Sequence, residues 1–160
     1  MEFLETSKYF TLNKPTYIKL RWIGIFGQLV TINLVKFFFE FEFSFIQSIL
    51  IIFFGVFSNF YLIYFHKENF LSNKLSFFFL IIDIFQLSFL LYLTGGITNP
   101  FIIFLIIPCV FSSTNLGIRT NLLLCTTTVI SICFLTFIHK ELPSPLNQHF
   151  HVSDYYYYSV

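Results

Sequence analysis

The sequence predicts an all-α integral membrane protein, a helical bundle of five complete spans and the start of a sixth. Three observations lead there. Of 160 residues, 56% are apolar and only 11% are charged, against about 25% charge in a soluble domain. The mean hydropathy is +0.78. The apolar residues fall in runs of roughly 20, the length at which a helix crosses a bilayer with its backbone groups satisfied internally. Phe occurs 26 times and Ala never. That bias reads as AT-rich coding, so a single phenylalanine carries little information.

Residues 1–16 read as a polar cytoplasmic segment and 17–160 as the transmembrane domain. The first span is expected at 17–38. It is too long for a signal-peptide core and no small-residue cleavage site follows, so it is retained. The second is expected at 45–65 and the third at 75–94. The fourth, 100–113, is short and contains Pro108; the fifth covers 121–138. A sixth starts near 155, where Tyr155 to Tyr158 suit an interfacial aromatic belt or, more blandly, a low-complexity tail. The chain is expected to be the front part of something longer.

Basic residues set the orientation. With five alternating spans, Lys8, Lys14, Lys19, Arg21, Lys67, Lys74 and Arg119 share one side, and only Lys36 and Lys140 take the other. The N-terminus is therefore expected in the cytoplasm of a bacterial inner membrane. The same distribution favours counting the short fourth segment as a full span. A net charge of +1 gives no support to a nucleic-acid binder. Cys109, Cys125 and Cys133 lie in apolar runs without paired spacing and read as small hydrophobes. Glu40 and Glu42 alternate with phenylalanines in a short outer loop and mark the interface.

Between spans three and four lies Leu93–Phe101, LTGGITNPF. Gly95 and Gly96 suit a helix end that needs left-handed residues, Asn99 suits an N-cap and Pro100 the first helical position. A tight hairpin accounts for all of these. The same geometry also suits a ligand site. Free N–H groups open span four, carbonyls close span three, Asn99 donates and accepts, and Phe101 offers a flat face.

Inside the spans, Asp83, Gln86, Leu90 and Thr94 fall on one helical face, and Arg21, Gly24 and Gln28 on another. Gly24 and Gly27 are expected to admit close helix approach. A polar seam between spans one and three follows. It is either interhelical packing by hydrogen bonds of about 1 kcal/mol each, or a proton or signal relay through Arg21, Gln28, Asp83 and Gln86.

Three stretches, LRWIGIFGQLVTINLV (20–35), IDIFQLSFLLYLTGGITNPF (82–101) and LIIPCVFSS (105–113), resemble the membrane domain of the RegB/PrrB redox-sensing histidine kinases of proteobacteria. The resemblance covers Lys19 to Ser113 well and the remainder loosely. Its most specific motif is GGxxNPF, supported by Arg-Trp and Gly-Gln in span one and Asp-x-x-Gln in span three. The resemblance implies a six-span, lipid-embedded homodimeric module with both ends cytoplasmic. It implies a quinone (ubiquinone-type) site at Gly95, Gly96, Asn99, Pro100 and Phe101. It further implies that oxidised quinone restrains a cytoplasmic kinase core that signals to a response regulator. That core and the family's reactive cytoplasmic cysteine lie in regions this sequence lacks, so the chain is expected to sense without phosphorylating. No catalytic residue is assigned. Two other readings stand beside this one: a small channel or transporter subunit using the Asp83/Gln86 face, and a truncated remnant.

FIHKELPSPLN (137–147) imitates a histidine phosphorylation box, but Lys140 separates His139 from Glu141 and Pro143 would break the presenting helix. His149 and His151, with Asp154, have the donors for a metal, but in a loop they read more simply as solvated, and no metal site is assigned.

Overall fold

The computed structural model describes residues 12–38 and 40–140. Its helices are α1 (Lys14–Phe37), α2 (Phe45–Phe65), α3 (Asn73–Leu93), α4 (Ile107–Asn115) and α5 (Ile118–Phe137). A 3-10 turn, Gly96–Thr98, and a 3-10 helix, Pro100–Ile106, connect α3 to α4. Four helices, α1, α2, α3 and α5, are long and apolar enough to cross a membrane, and Pro100–Asn115 forms a shorter apolar helix. The expected sixth span lies outside the described residues.

Helix starts follow local chemistry. Asn13 caps α1, its side-chain oxygen accepting from the Thr16 N–H at 3.3 Å. α1 therefore begins at Lys14 rather than at the expected Tyr17. Ser72 caps α3 in the same way through the Leu75 N–H at 3.4 Å, and α5 begins at Ile118 rather than at Asn121. One feature departs from an all-helical reading. Leu12–Asn13 and Phe70–Leu71 pair as a short antiparallel ribbon, β1 and β2, with Leu12 opposite Leu71. It ties the start of α1 to the α2–α3 loop. Lys14 reinforces the tie: its ammonium donates to the His66 carbonyl just past α2, where a helix end leaves carbonyls free.

Core packing runs through α3, which contacts α2 on one side and α5 on the other, while α4 packs on α5. Leu80, Ile84, Leu91, Leu105, Leu124 and Leu135 are among the fully buried residues there. The outer faces carry exposed Phe26, Phe57, Phe85 and Phe137, as expected where lipid is the solvent. α1 packs mainly along α2. Its glycine face is open: a Cβ built on Gly24 or Gly27 meets nothing within 4 Å. The expectation that these glycines admit a close helix neighbour is corrected. The close approach is instead at Gly55 of α2, where a Cβ would lie 2.5 Å from Nε2 of Gln86.

The fourth apolar segment takes its shape from Pro108. Lacking an N–H, Pro108 cannot donate to the Phe104 carbonyl as an α-helix requires. The Ile107 N–H takes that carbonyl instead, in the 3-10 pattern. Seven residues at a rise of about 2.0 Å and nine at about 1.5 Å make the segment roughly 28 Å long, close to the hydrocarbon thickness of about 30 Å. Pro108→Ala restores the missing donor. It is expected to convert Pro100–Ile106 toward α-helix, read as a rise in helical circular dichroism; an unchanged spectrum would assign the 3-10 stretch to packing instead.

Candidate functional site

α3 ends where its sequence stops supporting it. Thr94 is the C-cap, and Gly95 (φ 102°) and Gly96 (φ 57°) take the left-handed conformations that glycine tolerates. Asn99 then caps the next helix by accepting from the Phe101 N–H at 3.0 Å, and Pro100 follows it. The side-chain amide nitrogen of Asn99 donates back to the Thr94 carbonyl and hydroxyl, both at 2.9 Å. Asn99 is thus the staple of the hairpin, with its donors and its oxygen engaged inside it.

After α5 the chain crosses to the same place. The Lys140 N–H donates to the Tyr92 carbonyl at 2.9 Å. His139 covers Gly96 so closely that a Cβ on the glycine would sit 2.3 Å from the His139 Cβ. His139 therefore belongs to the hairpin's packing.

Beneath the hairpin lies a cavity of about 690 Å³, a size typical of small-molecule sites. α3 lines one wall with Asp83, Gln86, Leu90 and Thr94, and α1 lines the other with Tyr17, Arg21, Gly24, Gly27 and Gln28. The hairpin and the following helices add Asn99, Pro100, Phe101, Phe104, Pro108 and Phe111. Of the five residues assigned to a quinone by resemblance, Asn99, Pro100 and Phe101 line this space; Gly95 and Gly96 do not.

The polar residues of the two walls meet across it. Arg21 Nε and Nη2 lie 3.0 and 2.9 Å from Asp83 Oδ1. Nη2 also donates to Ser58 Oγ at 3.0 Å. The Tyr17 hydroxyl donates to Asp83 Oδ2 at 2.5 Å. Further along, Gln86 Nε2 donates to Gln28 Oε1 at 3.2 Å. The structure thus brings Arg21 to Asp83 and Gln28 to Gln86. Tyr17 and Ser58 complete the cluster without having been singled out in the sequence. Tyr17 sat at an expected helix start, where an aromatic passes as an interfacial anchor, and Ser58 is a lone hydroxyl in an aromatic run. The Arg21 guanidinium lies over the rings of Tyr17 and Phe79, at 5.5 and 5.6 Å. Tyr17 in turn stacks on Phe111 at 5.9 Å.

Among the described residues no group of three or more His, Cys, Asp or Glu is placed to hold a metal. His149, His151 and Asp154 lie outside the described residues. All three cysteines are free; Cys109 is buried, with its sulfur 3.2 Å from the Thr128 hydroxyl.

The model of the PilS-like transmembrane domain family matches residues 23–159. Sensor histidine kinase RegB of Cereibacter sphaeroides is 30% identical over 128 residues, which is 79% of this chain and 28% of that protein. No solved structure matches the chain.

Proposed function

This chain belongs to the PilS-like transmembrane domain family, and we propose that it is the membrane input module of a two-component sensor histidine kinase that reports the redox state of a ubiquinone-type quinone. The chain spans 28% of the length of its histidine-kinase relative. The kinase activity, the homodimer and the response regulator are therefore part of the proposal. So is the topology: five spans and a sixth, the N-terminus in the cytoplasm and the hairpin outside.

One observation carries the quinone reading. The cavity under GGITNPF is mostly apolar, joins the hairpin to buried polar groups, and is flanked by lipid-facing side chains such as Leu20 and Ile107. A planar, carbonyl-bearing molecule that partitions into lipid fits such a space. Sensing then needs unequal affinity of the two redox forms for the two signalling states, because a ligand that binds both states equally shifts nothing.

The test is equilibrium binding of a short-chain ubiquinone to the chain in lipid nanodiscs. Phe101→Ala removes a ring from the cavity wall and is expected to weaken binding about tenfold. Asn99→Ala loosens the hairpin and weakens it as well. Unchanged affinity in both variants would remove the hairpin from the site. Nothing in the geometry favours a transport path through Asp83, whose two oxygens are held by Tyr17 and Arg21.

A further inference from the structure

The polar groups at both ends of the cavity are occupied. At the hairpin, Asn99 is engaged through its amide nitrogen and its oxygen, and the Thr94 hydroxyl donates to the Leu90 carbonyl. At the inner end, Asp83 accepts from Tyr17 and Arg21, and Arg21 Nη1 is sealed off from the cavity. The middle is different. Gln86 Nε2 donates to Gln28 Oε1 at 3.2 Å, a single hydrogen bond between two amides. Amides joined by one bond always leave one carbonyl oxygen and one amino group over, whichever of them donates. Here these are Gln86 Oε1 and Gln28 Nε2. Among the described residues the polar atoms sealed without a partner are Arg21 Nη1, Nδ2 and Oδ1 of Asn59, and Ser76 Oγ; neither glutamine contributes one. Both free amide atoms therefore keep surface open to a partner, and both side chains line the cavity. Gln86 is nonetheless only 8% exposed, and α2 holds it from behind. Its amide lies so close on Gly55 that a Cβ there would sit 2.5 Å from Nε2 and 2.6 Å from Oε1.

We propose that the Gln28–Gln86 pair, and not the hairpin, receives the ligand's polar head: a quinone carbonyl accepts from Gln28 Nε2, and in the reduced form a hydroxyl also donates to Gln86 Oε1. This deepens the quinone reading and rests on it. The eight residues from Gln86 to Thr94 correspond to about 12 Å of helix, so the head lies well below the hairpin. The hairpin then closes the far end of the cavity over the remainder of the ligand. Gly24 and Gly27, which leave open space on α1 beside Gln28, make room for the ring. Thr31, one turn beyond Gln28, adds a hydroxyl to the same wall. A quinone only accepts, whereas a quinol hydroxyl both accepts and donates. The pair offers one donor and one acceptor, so it holds either form, and the acceptor on Gln86 is used by the quinol alone.

The test is binding of a short-chain ubiquinone, and of its dithionite-reduced quinol, to the full chain in lipid nanodiscs. Gln28→Met with Gln86→Met removes both amides and keeps their length; replacing both partners of a hydrogen bond by apolar groups is nearly neutral for folding. The paired variant is expected to weaken ubiquinone binding about tenfold, and quinol binding at least as much. Each single variant frees the remaining amide for the ligand, so it costs about threefold or less, and the two losses do not add up to that of the pair. The infrared carbonyl stretch of bound ubiquinone reads the contact directly. It is lowered in the wild type by the hydrogen bond and returns in the paired variant to its value in lipid. This measurement on the wild type decides alone if the paired variant does not fold: a stretch at the lipid value would overturn the assignment. Saturable binding that is lost in Phe101→Ala but unchanged in the paired variant would also overturn it and leave the quinone reading standing. Absence of saturable binding to the wild type would overturn both.

Discussion

Asp83→Asn alone is expected to destabilise the chain by about 3–5 kcal/mol, and adding Arg21→Met to it recovers most of that loss. The ion pair is inside: the side chains of Arg21 and Asp83 are 5% and 20% exposed, and their closest atoms are 2.9 Å apart. Removing the carboxylate strands a guanidinium that cannot shed its charge. Arg21→Met alone is milder, because the remaining carboxyl group keeps its hydrogen bond from the Tyr17 hydroxyl. The double variant leaves neither ion, and buried pairs replaced by apolar groups are often neutral in stability. The order of damage is therefore Asp83→Asn, then Arg21→Met, then the pair. Unfolding free energies of the three in bicelles, taken as a double-mutant cycle, measure the coupling. Additive losses would mean that the two residues act separately and that the cation is already satisfied elsewhere.

Much of this site is legible in the sequence because helical spacing is a strong constraint. Arg21, Gly24 and Gln28 must share a face, as must Asp83 and Gln86, and polar groups inside an apolar span must find one another. The hairpin is legible for a similar reason. Asn99, Pro100 and the two glycines each suit one backbone position, and φ values of 102° and 57° place Gly95 and Gly96 where only glycine is comfortable. What the spacing cannot say is how far apart two helices stand. Gly24 and Gly27 look like a packing face in sequence, yet α1 packs mainly along α2 and leaves them facing the cavity. The seam is consequently not a close-packed interface but a pair of walls bridged by long side chains. Pro108 was visible too, but its effect depends on Ile107 taking over the Phe104 carbonyl, a local choice between two hydrogen-bond patterns.

Gly96→Ala separates the two roles that the GGxxNPF glycines are open to. At φ 57° an added Cβ is strained, by about 1–2 kcal/mol. It also meets the His139 Cβ at 2.3 Å, which forces the segment after α5 off the hairpin, a further cost of about 1–3 kcal/mol. The expected loss of stability is therefore about 2–5 kcal/mol, most of it felt where Lys140 holds the Tyr92 carbonyl. Hydrogen exchange at the Lys140 amide reads it locally. His139→Ala keeps the offending Cβ and does not rescue; Gly96→Ala with His139→Gly relieves the clash and leaves only the backbone strain. Ubiquinone affinity supplies the deciding contrast. If Gly96 serves packing, the rescued double variant binds ubiquinone as the wild type does. If a Gly96→Ala chain of normal stability fails to bind, the glycine touches the ligand.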